Sequence, residues 1–217
     1  MAKKSRKGIG EASESRGLSR RSFLSTTSAG AVGAAAAARL ASGTARAAPS
    51  ADVAPASQLT RIELSINGQK HRLLAEPRWT LLYVLREKLA MTGAKMGCER
   101  GECGSCTVLL DDQTRYACMT LAMEAQGAEI TTVEGLLVGE ELGAVQQAFL
   151  ENDAFQCGYC TPGQVVAVEG LLRANPDPSL DEIRLGVSGN LCRCGAYPNI
   201  FKAAKQAAEL KRKGGRS

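Results

Sequence analysis

Apolar and polar positions alternate in RIELSINGQKHRLL, where Ile62, Leu64 and Ile66 are interleaved with Glu63 and Ser65. A period of two over this length predicts a strand with one buried face. Asn67-Gly68 is a two-residue hairpin signal, and a second strand is expected around His71 to Leu74. The period then changes. In TLLYVLREKL, Leu81, Leu82, Leu85 and Leu89 share one face of a helix that Thr80 would cap. TVLLDDQTRYAC predicts a strand, a turn at Asp111-Asp112 and a short strand running into Cys118, and EITTV (Glu129 to Val133) predicts a last strand that closes the sheet.

From about Glu134 the pattern is helical. Val145 to Leu150 form a short apolar-faced helix. Thr161 and Pro162 read as the N-cap and first position of a helix that carries Val165, Val166, Val168, Leu171 and Leu172 to about Ala174. SLDE (Ser179 to Glu182) is a capping box for a third helix ending near Ser188-Gly189. The fourth, from about Pro198 to Lys211, sets Ala203, Ala204, Ala207 and Ala208 on one narrow face suited to close helix approach. The chain is therefore expected to be α+β, with a sheet-containing module over 60–133 and a helical module over 134–217.

Composition changes the picture at the front. Of 217 residues, 44% are hydrophobic, which suits a buried core, and 4% are aromatic, which leaves little for nucleic-acid stacking. Residues 1–47 hold nine basic residues (Lys3, Lys4, Arg6, Lys7, Arg16, Arg20, Arg21, Arg39 and Arg46) against Glu11 and Glu14, so the formal charge of +5 belongs to this segment and the rest is slightly acidic. A basic region, a short Ala-rich stretch and the small residues before Ala48 describe an export signal cleaved after Ala47, too short and too Ala-rich to span a membrane. Arg20-Arg21 followed by Ser22, Phe23 and Leu24 gives it the twin-arginine form, which implies the twin-arginine translocation machinery, export in the folded state and a periplasmic destination. Residues 48–59 are a Pro/Ala/Ser linker. No other apolar run reaches spanning length, so no stable membrane insertion and no nucleic-acid partner is expected.

Eight cysteines in an exported chain would ordinarily pair into disulfides. Their spacing argues otherwise. Cys98, Cys103, Cys106 and Cys118 read C-x4-C-x2-C-x11-C, and Cys157, Cys160, Cys192 and Cys194 read C-x2-C-x31-C-x-C. The first opens with the spacing of plant-type [2Fe–2S] sites. Its loop, GCERGECGSC, is rich in glycines that can turn backbone N–H groups toward sulfur. Zinc remains an alternative for the second quartet, although the single histidine, His71, is far from any cysteine in sequence. Neighbouring thiols such as Cys192 and Cys194 would pair only with strain, and the C-x2-C-x2-C of a [4Fe–4S] site is absent.

The segments GCERGECGSCTV, ACMTLA, TTVEGL, QCGYCTPG and GNLCRCGAYPNI together resemble the small two-cluster [2Fe–2S] subunit of the xanthine dehydrogenase and aldehyde oxidoreductase family of molybdenum hydroxylases. The resemblance spans about Thr60 to Lys211. It implies a β-grasp ferredoxin-like domain followed by a four-helix [2Fe–2S]-binding bundle, with all eight cysteines as metal ligands. It also implies a large partner subunit holding a molybdopterin cofactor, a medium FAD subunit or a cytochrome as acceptor, and no catalytic residue in this chain. The second quartet would lie next to the molybdenum centre and the first toward the acceptor. Gln156 matches a position that hydrogen-bonds the pterin, and Cys194 the ligand nearest its edge. Where many members read C-R-C-T-G-Y, this chain reads Cys192-Arg193-Cys194-Gly195-Ala196-Tyr197. With the leader, that departure is similar to periplasmic aldehyde oxidoreductases. The reading is an electron-transfer subunit of an exported, aldehyde-oxidising enzyme. Its rivals are a subunit of an isoquinoline- or nicotinate-type hydroxylase, a free-standing ferredoxin, and a structural metal-binding module.

The remaining candidates carry less. Arg193, between two ligands, could raise a cluster potential or be a solvated charge. Tyr159 and Tyr197 are expected in the core, His71 on the surface, and Trp79 and Phe155 as packing or interface groups. The tail KRKGGRS reads as a solvated end.

Overall fold

The computed structural model describes residues 59–214. The expected leader, all of the expected linker except Leu59, and the last three residues of the basic tail lie outside them. Strands β1 (Thr60–Ile66) and β2 (Gln69–Ala75) form an antiparallel hairpin. Its turn, Asn67-Gly68, has positive φ at both residues, which matches the twist of the strands it joins. A second hairpin pairs β3 (Thr107–Leu110) with β4 (Gln113–Tyr116) through Asp111-Asp112, also both at positive φ. Strand β5 (Glu129–Thr131) lies between the hairpins, parallel to β1 and antiparallel to β3, giving the order β2-β1-β5-β3-β4. It ends sooner than the pattern predicts, because a 3-10 turn over Val133–Leu136 takes over.

One helix packs into the core of this sheet, and it is not the regular one predicted. Thr80 caps it as expected, its hydroxyl accepting from the Tyr83 N–H at 3.2 Å. Helix α1 (Leu81–Tyr83) then widens into a π segment over Val84–Lys88, with Leu89 N–H reaching Val84 O at 3.1 Å. The wider turn buries Val84 and Leu85 beside Leu81 and Leu82 and leaves Leu89 half-buried. It also places Arg86 so that its guanidinium donates to Thr92 O (3.1 Å) and Ala94 O (2.8 Å), fastening the loop that leads to Cys98. Ile62, Leu64, Ile66, Val108 and Ile130 complete this core, with Cys106 and Cys118 within it. His71 shares the inward side of β2 with Leu73 and Ala75, so it is half-buried rather than on the surface, and its Nε2 is buried without a partner among the described residues.

Four helices make the second half: α2 (Ala144–Glu151), α3 (Thr161–Ala174), α4 (Leu180–Gly186) and α5 (Tyr197–Arg212). Ala203, Ala204, Ala207 and Ala208 are fully buried in one cluster with Ala148 and Phe149, as their spacing predicts. Two boundaries differ from expectation. Cys160, not Thr161, is the N-cap of α3, so Thr161 and Pro162 are its first two residues, and α4 stops at Gly186 with Val187 as its C-cap. The sheet and the helices are tied by a charge network. The buried Glu169 accepts from Arg173 Nε (2.9 Å) and Lys211 Nζ (2.7 Å), and Arg173 also bridges to Asp112 in the β3–β4 turn.

The capping box at α4 forms as read. Ser179 accepts from Glu182 N–H at 3.3 Å, and the Glu182 carboxylate accepts from both the hydroxyl and the N–H of Ser179 at 2.7 Å. Ser179→Ala is expected to cost about 1 kcal/mol. The Ser179 hydroxyl, then its N–H, holds the Glu182 carboxyl below its ordinary value of 4.5. A carboxyl lowered in the folded state stabilises the fold above its unfolded value and stops doing so as pH falls through the folded one. The gap between wild type and variant in urea denaturation should therefore be full at neutral pH and shrink in acid below about 4.5.

Candidate functional site

The first quartet gathers because its members sit at the ends of bonded elements. Cys98 and Cys103 lie on the loop after the π segment, Cys106 immediately precedes β3 and Cys118 follows β4. The ladder continues past the strands, with Ala117 N–H donating to Cys106 O at 3.2 Å. The second quartet is drawn from two helix starts: Cys157 and Cys160 precede α3, and Cys192 and Cys194 precede α5. The fold thus brings together both sets that the spacing separates.

Within each set the thiols stand as pairs. Cys98 neighbours Cys103, Cys106 neighbours Cys118, Cys157 neighbours Cys194, and Cys160 neighbours Cys192. No group of three or more His, Cys, Asp or Glu side chains among the described residues converges as a single-ion site would require. A two-plus-two arrangement suits a binuclear iron–sulfur rhomb, in which each iron takes two thiolates. Each quartet also has an outer and an inner pair. Cys157 and Cys194 are exposed and Cys98 and Cys103 half-buried, whereas Cys106, Cys118 and Cys192 are buried and Cys160, half-buried, lies deeper than Cys157. The electrostatics follow. The N–H of Arg100, at 3.5 Å and helped by that of Glu102 at 3.3 Å, draws the Cys98 thiol down to about 7. The N–H of Tyr159 lowers the Cys157 thiol in the same way. Burial pushes the Cys106 and Cys160 thiols up to about 12. In addition, Ala196 N–H points at the Cys192 sulfur at 3.4 Å. N–H groups aimed at sulfur favour bound thiolate, as an iron–sulfur ligand set requires. A Cβ at Gly97 would come within 2.7 Å of Cys103 Sγ, so a side chain there would displace that sulfur. Donor set and cradle therefore fit two [2Fe–2S] groups.

A cavity of about 420 Å³ lies between the quartets, lined by Cys98 and Cys103 on one side and Cys157, Cys160 and Cys192 on the other. Tyr159 lines it too. Contrary to expectation, Tyr159 is not in the core: it is half exposed, and its hydroxyl donates to Met96 O at 2.6 Å across the joint. Tyr197 is partly buried as expected, and its hydroxyl accepts from the Cys192 N–H at 2.8 Å. Trp79 packs on the first core beneath Lys88, whose Nζ is 4.5 Å from its ring centre. Gln156 is exposed beside Cys157, with Phe155 and Tyr159 around it, and Arg193 is exposed at the cavity edge.

Sequence reasoning passed over the residues that join the halves. Leu191 N–H donates to Cys103 O at 2.9 Å. The half-buried Tyr116, whose phenol is pushed up first by burial and then by the four thiols of the first quartet, donates its hydroxyl to Gly189 O at 3.0 Å. Asn190 and Gln164 are buried in the same joint. None of these has a periodic signature. GNLC beside a candidate ligand was the one local hint.

The family described as the 2Fe-2S iron-sulfur cluster binding domain matches residues 64–132, and the [2Fe-2S] binding domain matches residues 132–205. The chain is 44% identical over 169 residues to the aldehyde oxidoreductase iron-sulfur-binding subunit PaoA of Escherichia coli, covering 71% of this chain and 74% of that one. It is 43% identical over 148 residues to the nicotinate dehydrogenase small FeS subunit of Eubacterium barkeri, covering 68% and 94%. Among solved structures, a chain of quinoline 2-oxidoreductase from Pseudomonas putida 86 is similar with a TM-score of 0.69 at 47% identity, covering 73% of this chain and 99% of that one.

Proposed function

Because the chain belongs to the family of two-cluster [2Fe–2S] subunits of the molybdenum hydroxylases, we propose that it is the electron-conducting subunit of an exported enzyme that oxidises aldehydes to carboxylic acids. The observation that carries this reading is the pair of thiol quartets joined across one backbone hydrogen bond, the second quartet opening to the surface at Cys157 and Cys194. When bound, each [2Fe–2S] cluster supplies a one-electron carrier, so two in series divide the electron pair released by an aldehyde into single steps.

The chain's own residues hold, space and present these groups. Cys98, Cys103, Cys106 and Cys118 hold one, and Cys157, Cys160, Cys192 and Cys194 the other. The Leu191 to Cys103 hydrogen bond gives a continuous backbone route between the two sets. Exposed Phe155, Gln156, Tyr159 and Leu191 surround the outer thiols with a mostly apolar face, suited to a large molybdopterin-binding subunit. Gln156 and Cys194 would stand nearest the pterin on that face. The first quartet faces the FAD subunit or cytochrome that takes the electrons. The aldehyde reading rests on the likeness to PaoA and on the Arg20-Arg21 leader. Comparable identity to the nicotinate and quinoline enzymes favours a second reading, a subunit that serves an N-heterocycle hydroxylase.

Purification of the complex through this chain from the periplasmic fraction tests the proposal. A molybdenum-containing large chain and aldehyde-dependent dye reduction are expected. Activity confined to N-heterocycles supports the second reading, and recovery of the chain alone with no molybdenum partner contradicts both. Replacing Arg20 and Arg21 together by lysine is expected to leave the complex in the cytoplasm, and undiminished export would contradict the twin-arginine route.

A further inference from the structure

Three successive residues between α4 and α5 are each fastened to the first module. Gly189 O accepts from Tyr116 (3.0 Å), Asn190 Nδ2 donates to both Gly104 O (2.8 Å) and Thr107 Oγ1 (3.0 Å), and Leu191 N–H donates to Cys103 O (2.9 Å). The next residue is Cys192. From within the helical module, Gln164 Nε2 donates to Asn190 O at 2.7 Å. Asn190 is thus held from both sides, its side chain by the first-quartet loop and its carbonyl by α3. Both amides are buried, at 4% and 0% exposure, so water does not compete for these bonds.

Gln164 carries a cost. Its Oε1 is buried with no partner among the described residues, and so is the Thr161 hydroxyl one turn earlier. An apolar side chain of similar size would avoid the orphaned oxygen, so packing alone does not account for an amide there. What Gln164 supplies is its Nε2, which fixes the Asn190 carbonyl. Thr107 adds a further constraint, since its hydroxyl donates at 2.6 Å to the same Gly104 carbonyl that Asn190 uses.

Resting on the two-cluster reading above, we propose that Asn190, anchored by Gln164, is a positioning residue that sets the separation and orientation of the two thiol quartets, although neither amide is itself a ligand. The loop on each side ends in a ligand, Cys103 and Cys192, so a shift at Asn190 passes directly into the distance that electrons must cross.

The test uses the full chain loaded with both clusters and reduced by dithionite. It reads the magnetic interaction between the two reduced centres by low-temperature EPR, together with iron content and urea denaturation. Gln164→Met removes the Nε2 donor and the orphaned oxygen together. The expected result is wild-type iron, unchanged g-values at each centre and a shifted spin–spin splitting, with little change in stability because the orphaned Gln164 oxygen is lost while the buried Asn190 carbonyl is left unpaired. A merely structural role would lower stability or iron content without moving the splitting. Asn190→Asp, which aims a carboxylate oxygen at Gly104 O, should shift the splitting further. If that variant fails to load, Thr107→Val reads the same quantity, removing both bonds of the Thr107 hydroxyl while keeping the Asn190 bond to Gly104 O. Wild-type splitting in fully loaded Gln164→Met and in Asn190→Asp, or in Thr107→Val in its place, overturns the inference while leaving the two-cluster reading intact. A wild-type protein without two signals overturns the reading itself.

Discussion

Cys106→Ser is expected to remove half of the iron and one of the two EPR signals of the reduced protein, leaving the other signal in place. Cys106 is 3% exposed within the first core, and burial holds its free thiol at about 12. Loading must therefore drive a proton off a group that the empty fold keeps protonated, which the metal achieves by balancing the thiolate charge in a poorly hydrated site. A serine hydroxyl is far harder to deprotonate and is a poor match for iron that prefers sulfur. The loss stays local because the second quartet packs with a separate cluster, in which Cys160 and Cys192 adjoin Val165, Val168 and Ile200. Metal analysis beside EPR checks this. Retention of both signals would mean that Cys106 is not a ligand.

Gly163→Ala is expected to destabilise the protein by about 2 kcal/mol, a fall in Tm of roughly 4–8 °C. The sign is the informative part. In an exposed helix, glycine to alanine gains on the order of 1 kcal/mol. Gly163 instead lies in the first turn of α3 against the first-quartet loop, where an added Cβ would overlap Gly104 O and stand 3.1 Å from Ser105 Cα. That wall is backbone, and it has little room to retreat: the Gly104 carbonyl is already held by Asn190 and Thr107, and Gly104 itself, at φ +67°, lies against Gly189 O. Relief would have to come from parting the two modules, which disturbs Leu191 to Cys103 as well. Thermal unfolding of the loaded protein measures the effect, and a variant as stable as wild type would show that the modules are not pressed together there.

The parts of the fold that could be read in advance are those fixed by neighbours in the chain. Asn67-Gly68, the Thr80 cap, the Ser179 box and the alanine face of α5 depend on residues within a few positions of one another, and each forms as read. The π turn at Val84–Lys88 escaped because a helical period of 3.6 and a locally widened one place Leu81, Leu82 and Leu85 on nearly the same side. The burial of Val84 and the half-burial of Leu89 distinguish them. The place of Tyr159 is not legible in the sequence, because an aromatic next to a ligand suits a core as well as a joint, and its partner, Met96 O, lies 63 positions earlier. The cysteines were legible from spacing, whereas their division into outer and inner pairs depends on burial, which spacing does not carry. The joint was the least legible. Asn190 and Gly104 are 86 residues apart, and no pattern along either segment announces the other.

The most direct test is the metal and sulfide content of the wild-type chain, matured with its iron–sulfur assembly machinery, together with EPR after reduction. Two [2Fe–2S] domains predict about four irons and about four acid-labile sulfides per chain, with two distinct rhombic signals. Zinc in place of iron with no labile sulfide, or a colourless protein whose thiols have oxidised to disulfides, would contradict the account.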